Sequence, residues 1–482
     1  MEGKKGISED WLSFYLGLFL FILGLGIFAG VDLLGWGIKT SVWIDVSKAL
    51  APVSGELKAM AGLTSLFLTY LFFLFVVLMG AIAMGARIEK FVVGFTLVFW
   101  LSYLSYLLGH FAYIAAAPSK DMPDIAQVLK KFGIGWSLRL TGEAGLIAAL
   151  IAGLLVGNFA PKFSETLKEA TRPELYIKTA IVIMGAGLGV KAAESMAMTS
   201  AVMFRGLCAI IEAYLIYWAV VYFVARKYFK FSREWAAPLA SGISICGVSA
   251  AIATGAAIRA RPVVAIMVSS LVVIFAVVEL IFLPFLASAF LWAEPLVAAA
   301  WMGLAVKTDG AAIASGAITE SLIRAKALAQ GVNYKEGWML MTTTTVKMFI
   351  DVFIGVWAFI LAVIWCTKIE CTGGRVKAIE IWERFPKFVI GYAFTFFFML
   401  FLCLAQPGVI KTARRITGEL DVFRGLFFVL TFFTIGVVSN FKKLWEEGIG
   451  RLAAVYVLCL FGFIIWVGLL ISWIFFHGIK PL

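Results

Sequence analysis

The 482-residue chain is 62% hydrophobic and only 15% charged, with a mean hydropathy of +0.98 and a formal net charge of +12. Soluble domains carry roughly 45–50% apolar and about 25% charged residues, so composition excludes a soluble globular protein and indicates an integral membrane protein. Part of the positive excess is the Lys/Arg bias that orients any membrane protein; it favours an anionic partner only weakly, and no nucleic-acid partner is expected.

Lys4 and Lys5 precede an apolar run from Trp11 to Val31. It is longer than a signal-peptide core and lacks a small-residue cleavage pattern, so it reads as a retained first span with a cytoplasmic N-terminus. A polar stretch, Asp32 to Met60, follows outside. Spans Ala61–Ala86 and Phe91–Ala115 flank Arg87 and Lys90, which mark the inside. In the next outer loop Asp124–Leu140 has apolar residues at helical spacing and is expected on the membrane surface. Spans Gly142–Val156, Leu175–Val190 and Thr199–Ala225 come next, with Lys162, Lys168, Arg172, Arg226, Lys227, Lys230 and Arg233 inside.

Two later segments differ from ordinary spans. Ser249–Ile258 (SAAIATGAAI) nearly repeats at Gly310–Thr319 (GAAIASGAIT), with Thr254 exchanged for Ser315. Both copies are small and Gly-broken. They lie in segments 235–258 and 296–318, on either side of the apolar run Val263–Leu291. Paired interrupted segments in a hydrophobic chain point to the binding site of a secondary transporter. Two re-entrant hairpins and two full crossings give the same downstream topology, so the charge rule leaves both open. The remaining spans are Gly337–Trp365, Phe388–Leu404, Val422–Val438 and Leu452–Phe476. A basic cluster (Lys368, Arg375, Lys377, Arg384, Lys387) follows the first of them. The fold class expected is an all-α polytopic membrane protein with about 11 full spans plus the two broken or re-entrant segments.

Helix breaks inside a membrane expose backbone groups that survive only within protein or at a water-filled cavity. A half-helix N-terminus suits an anion, and small residues let a ligand approach the backbone. The first segment offers Ser241, Gly242, Ser244, Cys246, Gly247, Ser249 and Thr254; the second offers Thr308, Gly310, Ser315 and Gly316. Close helix packing explains Gly24, Gly26 and much of the run Met184–Gly189 equally well. Intramembrane charges are costly and therefore informative. Lys307 and Asp309 flank the start of the second repeat copy. Lys347 and Asp351 lie four apart, next to Thr342–Thr345, and can pair on one helix face. Glu212 and Glu279 sit mid-span and read as structural; Arg205 lies within a span; His110 and His477 lie at span ends. The six cysteines (Cys208, Cys246, Cys366, Cys371, Cys403, Cys459) show neither metal spacing nor a disulfide framework.

Ser244-Ile-Cys-Gly247, in the run to Thr254, resembles the hallmark of the YeiH-like sulfate exporter family of membrane transporters. Leu154–Asn158, Met184–Val190 and Val346-Lys347-Met348 resemble further family segments, and the likeness covers Gly142 to Phe476. Thr308-Asp309 stands where other members often have His-Glu, so a shared proton relay does not carry over intact. Residues 1–141 are read as an N-terminal extension with about three transmembrane helices, and 142–482 as the transporter unit. The resemblance implies an inverted-repeat fold with core and scaffold parts in a bacterial or archaeal inner membrane. It also implies export of sulfate, sulfite or a related small oxyanion.

The function expected is therefore secondary active transport of a small anion by alternating access, without a cofactor or a resident metal. Ser244, Cys246, Gly247, Ser249, Thr254, Lys307, Gly310, Ser315 and Lys347 would line the site, and Asp309 would carry H+ or Na+ as coupling ion. The alternative is a cation/proton antiporter with a similar core. A passive channel, or an enzyme embedded in the membrane, fits less well: no GxxxxGK[ST], HExxH or plausibly partnered GxSxG is present. Homo-oligomerisation is left open.

Overall fold

The computed structural model describes residues 7–116, 122, 125–138, 144–194, 196–365, 369, 386–439 and 450–482. Lys4, Lys5, Lys368, Arg375, Lys377, Arg384, Cys366 and Cys371 lie outside the described residues, and so does the side chain of Ser249.

In chain order, α1 is Glu9–Leu25, and the polar stretch after it pairs two short strands, β1 (Ile38–Thr40) with β2 (Leu50–Pro52), antiparallel. Next come α2 (Gly62–Ala83), α3 (Ile88–Gly109), α4 (Ile125–Phe132), α5 (Ala144–Phe159) and α6 (Pro173–Glu194). Then follow α7 (Met198–Lys227), α8 (Arg233–Ser241) with a π-helical extension Gly242–Cys246, α9 (Gly247–Ala257) and α10 (Pro262–Phe290). After these come α11 (Pro295–Ala305), α12 (Asp309–Ala329), α13 (Trp338–Ile364), α14 (Lys387–Ala405), α15 (Ile410–Val438) and α16 (Gly450–Phe476). Among the described residues nine helices are long and apolar enough to cross a membrane, or ten with α5 and its bent continuation counted as one span. The 29 residues of α10 extend about 43 Å, more than the roughly 30 Å hydrocarbon layer.

The chain divides into two compact units. One comprises Met1–Thr199, Leu328–Val332 and Lys387–Val438; the other comprises Ser200–Ala327, Asn333–Pro386 and Ser439–Leu482. In the first, α6 is enclosed by α1, α14 and α15. The Gly-rich run of α6 serves this packing: a Cβ on Gly185 would stand 2.5 Å from the Tyr392 carbonyl oxygen, and one on Gly189 2.2 Å from that of Phe396. Helices attract one another in lipid largely through such close backbone approach. Arg415 ties the polar stretch to α15, reaching Asp32 at 2.8 Å and Glu56 at 2.7 Å.

The α5–α15 crossing is tighter still. A Cβ on Gly153 would lie 2.0 Å from the Phe433 carbonyl oxygen, and one on Gly436 2.5 Å from that of Leu150. Backbone cannot swing aside as a side chain does. Gly436→Val is therefore expected to cost about 1–3 kcal/mol or more. Gly425→Ala on the same helix meets nothing within 4 Å and is expected to be neutral or slightly stabilising. The fraction of monodisperse protein surviving a heat step in detergent separates the two; equal survival contradicts the packing described.

Candidate functional site at two hairpin tips

Segment 235–258 does not cross the membrane. The Thr254 hydroxyl bonds the Ser241 hydroxyl at 2.7 Å, although 13 residues separate them. A continuous helix would hold them about 20 Å apart. Glu234 accepts from the backbone N–H (2.9 Å) and guanidinium (2.9 and 3.1 Å) of Arg261, 27 residues on. Thus α8 and α9 form a hairpin with both ends on one side. Its tip is Gly247, whose φ of +20° and ψ of −99° interrupt the helix.

The second segment behaves likewise. Lys326, late in α12, donates to the Ser288 and Ala289 carbonyls at 2.9 and 3.0 Å, just ahead of α11. Had α11 and α12 run on in one line, about 45 Å would intervene. Val306–Thr308 therefore form the tip of a second hairpin. The long helix α10 starts beside the mouth of the first hairpin and ends beside the mouth of the second, so the two mouths lie at opposite ends of a span. Of the two topologies left open by the sequence, the structure takes the hairpins.

The tips touch. The Cys246 thiol donates to Asp309 Oδ1 at 2.6 Å, and a Cβ on Gly247 would stand 2.8 Å from the Lys307 carbonyl oxygen. From α13, Lys347 donates to the Ile245 carbonyl at 3.0 Å and the Val306 carbonyl at 3.5 Å, one on each tip, and pairs with Asp309 at 3.9 Å. The Lys307 amine bonds the Leu304 carbonyl, and its backbone N–H donates to Glu279 Oε2 at 3.0 Å. The Thr308 hydroxyl accepts from Ala311 N–H at 3.2 Å. The two amines meet carbonyls at helix C-ends, while the Glu279 carboxylate and the Thr308 hydroxyl meet N–H groups at or near the α12 N-end, in the sense the peptide dipoles favour.

The pairing that spacing allows between Lys347 and Asp351 does not form among the described residues. Lys347 faces the tips and Asp309, and both Asp351 oxygens lack a hydrogen-bond partner among the described residues. One Asp351 oxygen, the Cys246 sulfur and an Asp309 oxygen lie within 4.8 Å of one another. Of the other residues singled out from sequence, Ser244 is buried at the tip, and its hydroxyl has no hydrogen-bond partner among the described residues. Gly310 is buried in the first turn of α12. Thr254 and Ser315 lie along the outgoing arms away from the tips, and the Ser315 hydroxyl is taken by the Ala312 carbonyl at 2.7 Å. The repeated decapeptide is thus the outgoing arm of each hairpin, and contact falls just ahead of it, at Cys246–Gly247 and Lys307–Asp309.

Residues read as structural complete the surroundings. The Tyr456 hydroxyl is 3.5 Å from Glu279 Oε1, and Tyr217 bonds Glu212 beneath the Lys307 amine. Glu212, Glu279, Lys307, Asp309, Lys347 and Asp351 are each at most 2% exposed. Four carboxyls and two amines are therefore buried together here.

These features define a polytopic α-helical membrane protein with two opposed re-entrant hairpins. The chain belongs to the UPF0324 membrane protein family: the family model described as conserved hypothetical protein 698 matches residues 136–455. A UPF0324 membrane protein of Nitrosomonas europaea is 39% identical over 98% of this chain and 96% of its own length. One of Nitratidesulfovibrio vulgaris is 30% identical over 83% of this chain and 62% of its own. An uncharacterized protein of Archaeoglobus fulgidus is 46% identical over 30% of this chain and 90% of its own. No solved structure matches the chain.

Proposed function

We propose that the protein is a secondary active transporter of a small inorganic or sulfur oxyanion, such as sulfate or sulfite, exporting it across the inner membrane of a bacterium or archaeon. The observation that carries this reading is the Lys347 ammonium bonded to a carbonyl on each tip. Displacing either hairpin breaks a contact to the same buried charge, so opening on one side is linked to closure on the other. The N-ends of α9 and α12 would supply N–H donors to the oxyanion, with Lys347 as counter-charge. Asp309 occupies the α12 N-end in the state described. With four carboxyls against two amines, an anion enters only together with protons, so the movements of anion and H+ are coupled. The opposed hairpins are consistent with an inverted-repeat core moving against a scaffold, and no catalytic chemistry is assigned.

A second reading is a cation/proton antiporter. It is favoured by the Cys246–Asp309–Asp351 grouping and the same excess of acids. Proteoliposomes loaded with sulfate, sulfite, thiosulfate, bicarbonate or small sulfonates, under imposed pH or sodium gradients, distinguish the two. Anion flux driven by a pH gradient, and driven less strongly by that gradient in Asp309→Asn, is the expected result. Na+/H+ exchange without any anion selects the antiporter. No flux of either kind overturns both.

A further inference from the structure

We propose that Glu212 is a second proton-binding site, built with Tyr217 and Lys307 and separate from Asp309 and Asp351. It lies in a π-helical turn, Ile211–Tyr217, within α7. Such turns open the regular hydrogen-bond ladder and recur at functional positions.

The inference rests on hydrogen counting. Glu212 is fully buried, and its Oε2 has no hydrogen-bond partner among the described residues. Its Oε1 contacts the Tyr217 hydroxyl, which also lies 2.8 Å from the Ile464 carbonyl. A phenol has one hydrogen. If Glu212 is ionised, that hydrogen reaches at most its Oε1, and the charged Oε2 stays buried without a donor among the described residues. If Glu212 carries a proton on Oε1, the acid donates to Tyr217 and Tyr217 donates to Ile464, leaving only a neutral carbonyl oxygen unpaired. The second arrangement costs less in a buried site.

The groups facing Glu212 support this. Cys208 lies one turn back on α7. Gly468 of α16 presents no side chain; a Cβ there would stand 3.4 Å from Oε1. The cation facing it, Lys307, donates to the Leu304 carbonyl and sits 4.6 Å above the Tyr217 ring centroid, and makes no hydrogen bond to Glu212 among the described residues. Lys307 belongs to the second tip. When that tip shifts, the ammonium is placed to leave Leu304 and pair with Glu212. The proton taken from water to form the carboxyl O–H then returns to water. On the transporter reading, proton occupancy of Glu212 thereby reports the position of the second hairpin.

Infrared difference spectra of the protein in liposomes, recorded between acidic and alkaline pH, test the site without any transported substrate. A carboxyl C=O band that titrates in the parent, vanishes in Glu212→Gln and shifts in Tyr217→Phe is expected. Spectra of Glu212→Gln identical to the parent overturn the proposal. Should Glu212→Gln not fold, Glu212→Asp must move the band and Tyr217→Phe must shift it; failure of both overturns it equally. In transport assays Glu212→Gln is expected to move one proton fewer per anion. If no anion moves in any variant while the Glu212 band still titrates, the transporter reading falls and the proton site stands.

Discussion

Replacing Lys347 with alanine is expected to reduce anion flux at least ~100-fold and to destabilise the hairpin crossing. Lys347 is fully buried, and its ammonium serves Ile245 and Val306 carbonyls and the Asp309 carboxylate at once. Removing one member of a buried ion pair costs roughly 3–5 kcal/mol, because the other charge is left uncompensated. A difference of 1.4 kcal/mol is about tenfold, so a loss of this size corresponds to the ~100-fold effect or more. The double variant Lys347→Ala/Asp309→Asn is expected to regain thermal stability over Lys347→Ala alone, since the stranded carboxylate is gone, but not flux, since the tips lose their common tether. Melting of all four members of this cycle in detergent measures the coupling independently of substrate. A Lys347→Ala protein that melts and transports like the parent would falsify the site.

Gly247→Ala is the second large effect. The added Cβ would stand 2.5 Å from Val272 Cγ1 and 2.8 Å from the Lys307 carbonyl oxygen. The first neighbour is a side chain and can be trimmed; the second is backbone of the opposing tip. Overpacking of this kind costs about 1–3 kcal/mol, and here it forces the two tips apart. Flux is expected to fall at least tenfold. Gly255→Ala, whose Cβ would sit at an ordinary 3.4 Å from that of Ala265, is expected to behave as the parent. Adding Val272→Ala to Gly247→Ala restores stability in part but leaves the Lys307 contact unrelieved, so flux stays low. Equal activity of the two glycine variants would mean that tip contact is dispensable.

Much of the site was legible before the structure, for a physical reason: lipid penalises charge and unwound backbone so heavily that each instance stands out. Cys246, Gly247, Lys307 and Asp309 stand out in that way and lie at the tips, and Lys347 reaches them from α13. Thr254 and Ser315 were drawn in by the repeat. They belong to the outgoing arms, where a hydroxyl satisfies a neighbour in its own hairpin. The repeat marks the arm because the arm must pack closely, and small residues do that whether or not a ligand is near. Asp351 was paired with Lys347 on helix spacing alone. Spacing places two residues on one face without saying which element that face meets.

The sequence by itself determined that this is a multi-pass helical membrane protein, where its helices lie, and which interrupted segments are unusual. Those properties follow from local hydrophobicity, glycine content and the energetic penalty of charge in hydrocarbon, all of which act residue by residue. Only the tertiary structure decided that each interrupted segment turns back on itself and that the tips meet at Cys246 and Asp309. It also decided that Glu212, Glu279, Lys307 and Tyr456, drawn from four distant stretches, share one buried network. Those outcomes depend on where a chain reverses and on which carbonyls a lysine can reach. Neither hydropathy nor charge bias encodes that, since a hairpin and a crossing bury the same residues at the same depth.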